Sequence, residues 1–412
     1  MRSRFFPWVR AVAAVVAAGA AAVAHAGAGN GIRLGGSEAR LHPFLDLESR
    51  YDSNVSYSAD NQAVADVVLH VRPGAELKIP GDVAAIEFSG ALDWAQNLGL
   101  EDSATKDLSK MYANAGFAAL FNRRGAVSLR LDNDFRRQVS TTSLAAAAVA
   151  VVANTNVLSV SVPWKPGGGA LVVTANGQWL VEAYQEYKDD PGFDVADLGY
   201  SQFRGGADVQ WRFLPRTSAL LSGGWFTRVP NESRLGYEAS GGDVLAGVTG
   251  LLTQRVAATA KVGYGVSSST ARVPDATTGG LRDEQRDTST FLADVNLEWL
   301  PMEALSLRTG YTRSSGIDPT EAAFVSDGVS AGFRLKMADR FAFRTAVRLD
   351  RLAFEARPGE DVTFLRLDPT VEGMVGRWLT VGLGYVYSAR ASSGDLPDYS
   401  KSEAFLSLGL TY

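Results

Sequence analysis

No cysteine occurs among the 412 residues, which excludes a disulfide framework and thiolate chemistry. Histidine is scarce too: His25, His42 and His70 are too few for a histidine-built metal site. Proline is outnumbered by glycine, 15 against 42, and Ser, Thr and Ala are abundant, a β-rich composition without low-complexity disorder. Long apolar runs are missing. Those at 11–23 and 144–153 fall short of the roughly 20 residues that a helix needs to span a bilayer. Residence in a membrane would therefore require a closed β-barrel, the other structure that satisfies every backbone polar group in lipid. Excess positive charge is also absent. Lys and Arg number 40 against 45 Asp and Glu, a formal charge of −5, so nucleic acid is not an expected partner.

What is present begins with an address. Arg2, Arg4 and Arg10 lead into an Ala/Val run that ends at Ala24-His25-Ala26. A basic start, a short apolar stretch and a small-x-small site read as a secretory signal, residues 1–26. Removing it takes away three arginines and turns −5 into −8. Residues 27–42 then read as a flexible periplasmic lead-in and 43–412 as one domain.

The last ten residues, 403–412, show how that domain is built. Leu406, Leu408, Leu410 and Tyr412 fall on one face of a strand, and Glu403, Phe405, Ser407 and Gly409 on the other. One face suits hydrocarbon and the other water, with an aromatic ring at the end. The same unit recurs at 43–58, 64–78, 83–96, 109–121, 126–137, 154–164, 170–187, 198–213 and 218–229. It continues at 242–252, 256–268, 288–300, 305–314, 325–337, 340–353, 361–375, 379–388 and 402–412. Short links rich in Gly, Pro, Asn and Asp alternate with long ones such as 97–108, 138–153 and 269–287. Short turns on one side and long loops on the other are the pattern of an outer-membrane barrel. Charges at every second position, as in Ser128-Leu129-Arg130-Leu131-Asp132, cannot face a dry core. Trp164, Trp211, Trp299 and Trp378 adjoin short turns, where an interfacial aromatic belt belongs. The expectation is an all-β fold: one antiparallel transmembrane β-barrel of about 18 strands, 16 being the alternative, in the outer membrane of a Gram-negative bacterium. A soluble sandwich or propeller would need an almost charge-free inward face and, for the propeller, a blade repeat, which the chain lacks. Such a barrel would meet outer-membrane lipid and the barrel-assembly machinery.

The segment Tyr51-Asp52-Ser53-Asn54-Val55, after the Pro43-Phe44-Leu45 strand, resembles the start of the β-barrel porin 2 family and of the barrel proteins of exopolysaccharide export systems. The resemblance implies an outer-membrane conduit that carries polysaccharide to the cell surface, working with a periplasmic polysaccharide export protein. The alternative is a general or weakly anion-selective diffusion porin for small hydrophilic solutes, with 138–153 as the candidate constriction loop.

Catalytic constellations, cofactor motifs and metal sites are not expected. Asp52, Asn54, Asp60 and Asn61 could gather around calcium, but solvated loop polars and an Asx turn account for them more simply. Asp132 and Asp134 share a face and could mimic a hydrolytic dyad, yet in a lumen they shape the field instead. Lumen parity places a basic stripe at Arg308, Arg334, Lys336, Arg344, Arg348 and Arg366. It places acids at Asp46, Glu48, Glu87, Asp93, Asp294 and Glu298. Such stripes set selectivity in pores; alternatively, neighbours such as Arg348 and Asp350 neutralise one another.

Overall fold

The computed structural model describes residues 31–412 apart from 36, 142–149, 188–193, 232–237, 275–280, 319–322, 339, 356–358, 360 and 395–396. The expected signal, 1–26, lies outside the described residues, as does the middle of 138–153. The fold is a closed antiparallel barrel of 18 strands. In chain order they are β1 (Arg40–Asp52), β2 (Asp66–Ile79), β3 (Ala84–Asn97), β4 (Lys110–Phe121), β5 (Leu129–Ser140) and β6 (Val151–Trp164). Next come β7 (Leu171–Glu186), β8 (Tyr200–Leu214), β9 (Thr217–Pro230), β10 (Glu238–Leu251), β11 (Val256–Pro274) and β12 (Leu281–Met302). The last six are β13 (Leu305–Ile317), β14 (Ala323–Met337), β15 (Phe341–Phe354), β16, β17 (Leu379–Ser392) and β18 (Tyr399–Thr411). β16 is two segments, Asp361–Leu367 and Thr370–Val375, broken at Asp368-Pro369, where proline has no N–H for the ladder.

Each strand pairs with its sequence neighbours, and β18 closes the ring on β1 from Phe44↔Thr411 to Asp52↔Glu403. The outward parity is mostly apolar and exposed: Leu47, Leu92, Trp94, Phe203, Val244, Val262, Phe291, Leu383 and Leu406 all face out. In a lipid-facing wall such exposure is the expected state. Trp164, Trp211, Trp299 and Trp378 stand exposed beside the short turns.

Three boundaries differ from the sequence reading. β1 begins at Arg40 and stops at Asp52, so 53–58 belong to a loop, and Ile32–Arg33 add a two-residue strand onto Arg40–Leu41 within the expected lead-in. β5 and β6 continue through Ser140 and from Val151, taking both flanks of 138–153 into the wall. β11 and β12 are longer than read, 19 and 22 residues, and rise as a hairpin beyond their neighbours. Above the lipid a strand needs no apolar alternation, so Ser267-Ser268-Ser269 gave no signal.

Candidate functional site

The inward parity carries most of the charges, and strand register decides which of them meet. From β18 through β1 to β3 they form one network. Glu48 accepts from Arg50 at 2.7 Å and from Arg72 at 3.0 Å. Arg72 also donates to Asp93 at 2.9 Å, and His70 Nδ1 shares a hydrogen bond with that carboxylate at 2.9 Å. Across the closing seam Arg50 donates to Glu403 at 2.9 Å. Lys401 Nζ lies 2.6 Å from Asp52 and 3.7 Å from Glu403. Lys401 is 3% exposed and Glu48 5%, burial that ions tolerate when each finds opposite charge.

On the wall from β11 to β16 the charges are more exposed and pair locally. Arg348 donates to Asp350 two positions along β15 at 2.6 Å, and Arg344 reaches Glu372 of β16 at 2.8 Å. Arg308 meets Glu298 at 3.0 Å, Lys261 meets Asp294 at 3.1 Å, and Arg366 is 3.8 Å from Asp368. The contiguous basic band expected from sequence is therefore interrupted, because four of its six cations stand against an acid. Among the described residues Arg334 and Lys336 have no ion-pair partner, and register sets Arg334 beside Arg344. Glu87 lies beside Glu76 and Lys78, with Lys78 Nζ 4.0 Å from Glu87 and 2.7 Å from Glu76. Asp132 and Asp134 are each held by their own arginine, Arg130 and Arg136, at 2.6 Å.

A groove joins the two walls. Arg72 and Glu48 border it on one side, and Arg344 and Glu372 on the other. Its floor is Gly382, Ser407 and Gly409. A Cβ at Gly382 would lie 2.4 Å from Ser407 Oγ, and one at Gly409 2.9 Å from Asp46 Oδ1. Glycine keeps the floor low where those polar groups stand.

Loops meet over the outer mouth. Eighteen strands about 4.8 Å apart and tilted near 40° enclose a ring roughly 35 Å across. Yet Tyr187, just after β7, donates its hydroxyl to the Val55 carbonyl of the β1–β2 loop at 2.8 Å. Tyr57 stands between Tyr187 and Tyr399, edge-on to each, with centroids 6.2 and 5.8 Å away. Lys401 Nζ lies 3.8 Å from the Tyr57 centroid, so the buried ion cluster is roofed by this ring. Burial pushes the Tyr187 hydroxyl well above the usual tyrosine range, leaving it a neutral donor. Val55, Val68, Ala95, Leu108, Val152 and Tyr187 pack beneath and around. A second contact spans β9 to β13: Arg228 Nη1 donates to the Ile317 carbonyl at 2.6 Å while its guanidinium covers the Tyr200 ring at 3.8 Å. Asp52, Asn54 and Asp60, weighed above as calcium ligands, hold the loop itself. Asp52 accepts from the Asn54 backbone N–H at 2.9 Å, Asn54 Oδ1 from the Ser58 backbone N–H at 3.0 Å, and Asp60 from Ser400 at 2.6 Å. Among the described residues no group of three or more His, Asp or Glu is arranged to hold a metal.

Parity pointed to Glu48, Asp93 and the β13–β16 stripe but passed over Arg72, Lys401 and the roof. Arg72 and Lys401 sit on the same inward parity as the residues singled out. The Tyr57 roof is made by contacts more than a hundred residues apart, which leave no local pattern.

No family model matches the chain, and no curated protein matches it in sequence. Among solved structures it is similar to the copper transporter OprC, with a TM-score of 0.50 at 8% identity over 87% of this chain and 62% of that one. It also matches the FrpB iron transporter from Neisseria meningitidis, with a TM-score of 0.48 at 11% identity over 86% of this chain and 63% of that one. The chain thus spans less than two thirds of both transporters. A third match is Pseudomonas aeruginosa OpdK, solved with vanillate, with a TM-score of 0.44 at 13% identity over 90% of this chain and 99% of that one. At these identities the likeness is one of fold, that of outer-membrane β-barrel channels and transporters.

Proposed function

We propose that the protein is an outer-membrane channel for small hydrophilic solutes with a weak preference for anions. The observation that carries this reading is the lumen face: charged from β18 to β3 and from β11 to β16, with Arg334 and Lys336 lacking an acid partner among the described residues, beneath loops that meet at Tyr57 and Tyr187. A charged, hydrated wall lowers the barrier for polar solutes and rejects apolar ones. The loop contacts restrict entry to solutes that fit beside them.

The test is reconstitution of the purified barrel into planar bilayers under a salt gradient, with swelling of proteoliposomes in sugars of graded size. The expected outcome is ion conductance with a modest anion-favouring reversal potential and a size limit near small saccharides. A barrel that conducts nothing would sink the proposal. The export reading rests on the resemblance of Tyr51–Val55, and loops that meet over the mouth oppose a wide polymer path. A deletion strain separates the two: lost surface polysaccharide with unchanged solute uptake would favour export.

A further inference from the structure

Among the described residues the lipid-facing wall carries polar groups inside its apolar band at two places, and they differ in how they are satisfied. On β13–β16 the outward Asp327 accepts from Arg313 and from the Tyr311 hydroxyl, each at 2.7 Å, and Arg351 pairs with Asp361. On β5 and β6 the polar groups are amides that are only partly bonded. Register puts Leu131, Asn133, Phe135, Arg137 and Val139 on the outward face of β5, opposite Val160, Leu158, Asn156, Asn154 and Val152 of β6. Asn133 Nδ2 donates to Asn156 Oδ1 at 3.1 Å. Arg137 donates to Asn154 Oδ1 and to the Met111 carbonyl, each at 3.0 Å. Asn156 is eight residues up β6 from Trp164 of the periplasmic belt. At about 3.4 Å per residue and a tilt near 40°, that is roughly 20 Å, inside an apolar band about 25 Å tall. Asn133 lies lower still, while Arg137 and Asn154 reach the headgroup level. Five strands further round the ring, β10 and β11 carry Val244, Ala246, Val248, Val262 and Tyr264 outward.

A carboxamide offers two N–H donors and an oxygen that accepts twice. The bond between Asn133 and Asn156 uses one donor and one acceptor site. Among the described residues nothing takes up the rest, and lipid tails supply neither donors nor acceptors. Beside the amides the wall is low: Gly90 of β3 pairs with Ala115 of β4, and Ala113 lies next along that face. Small residues allow close approach between walls, and polar side chains then bond across the gap.

We propose that this patch is a contact between two copies of the barrel, β3–β6 of one against β3–β6 of its partner about a twofold axis. An isologous contact places like beside like, and the amide is self-complementary, presenting both the donor and the acceptor that its counterpart lacks. The cation of Arg137 stays at the rim, level with polar headgroups.

The absence of native cysteine makes the test clean. Ala115→Cys, Asn133→Cys and Asn156→Cys are introduced singly and oxidised mildly in intact outer membranes, with Val248→Cys, outward on β10 five strands round the ring, as control. The expected result is a disulfide-linked species of twice the barrel mass from at least one of the three and none from Val248→Cys. In detergent, the double variant Asn133→Leu/Asn156→Leu should run at monomer size while keeping its heat-modifiable barrel form. Cross-linking no better than the control at all three positions would overturn the proposal. So would an adduct of another mass, which marks a different partner, or a monomeric unaltered barrel alongside uncross-linked variants.

Discussion

The lumen has two charged walls that read alike in sequence and differ in surroundings. From β18 to β3, Lys401, Glu403, Asp52, Arg50, Glu48, Arg72 and Asp93 are linked across four strands under the Tyr57 ring, and water is largely excluded. From β12 to β16, Arg308 against Glu298 and Arg348 against Asp350 are local pairs, and the Arg308 side chain is 73% exposed. The same alternation of charge therefore does two jobs. Where loops cover it, the network holds the barrel's seam and the mouth loop together. Where it is open, the charges meet whatever is in the lumen.

Breaking the covered wall should have the largest effect. Lys401→Met leaves Asp52 and Glu403 buried with less compensation, and removing one partner of such a cluster costs about 3–5 kcal/mol. The unfolding transition of the barrel, followed by heat-modifiable migration or denaturant titration, should drop accordingly. A loss under 1 kcal/mol would mean that the network is wetter than its packing implies. Tyr57→Ala comes next. It removes the ring between Tyr187 and Tyr399, and single-channel conductance should rise about twofold because the mouth contact is in series with the pore. Unchanged conductance would place the limiting constriction elsewhere.

The open wall should respond in permeability more than in stability. Arg334→Ala with Lys336→Ala removes two cations that have no ion-pair partner among the described residues and should cut the anion-to-cation permeability ratio by about half, read from reversal potentials. Arg348→Ala should have the smallest effect on folding, within about 1 kcal/mol, as exposed pairs generally do. It frees Asp350, so its reversal potential should move the same way as that of the double variant. If Arg348→Ala destabilised as much as Lys401→Met, the contrast between the walls would fail.

The barrel itself was legible because lipid imposes one rule on every strand. Leu406, Leu408 and Leu410 alternate with Phe405, Ser407 and Gly409, and each of the 18 observed strands overlaps a segment marked by that rule. Legibility ended where lipid ends. The outer halves of β11 and β12 carry serines and charges on both faces, so only pairing from Val266↔Ser289 to Pro274↔Leu281 reveals them as strand. Parity told which face a charge occupies, but not whether a loop would cover it. Arg344 and Arg50 look equivalent in sequence, and Tyr57, reaching from a loop to Tyr187 and Tyr399, makes the difference.

The seam between β1 and β18 also constrains how the protein comes into being. The bond between Arg50 and Glu403 joins residues 353 apart, and the β1–β18 ladder pairs residues from 351 (Asp52↔Glu403) to 367 (Phe44↔Thr411) apart. No other neighbouring strands are so distant along the chain. Contacts this remote form slowly, because so much chain must be gathered before they repay its lost freedom. Until they form, Arg40–Asp52 and Tyr399–Thr411 are both open edges, ready to pair with any strand nearby. The insertion pathway must therefore shelter two edges at once and release them to each other last.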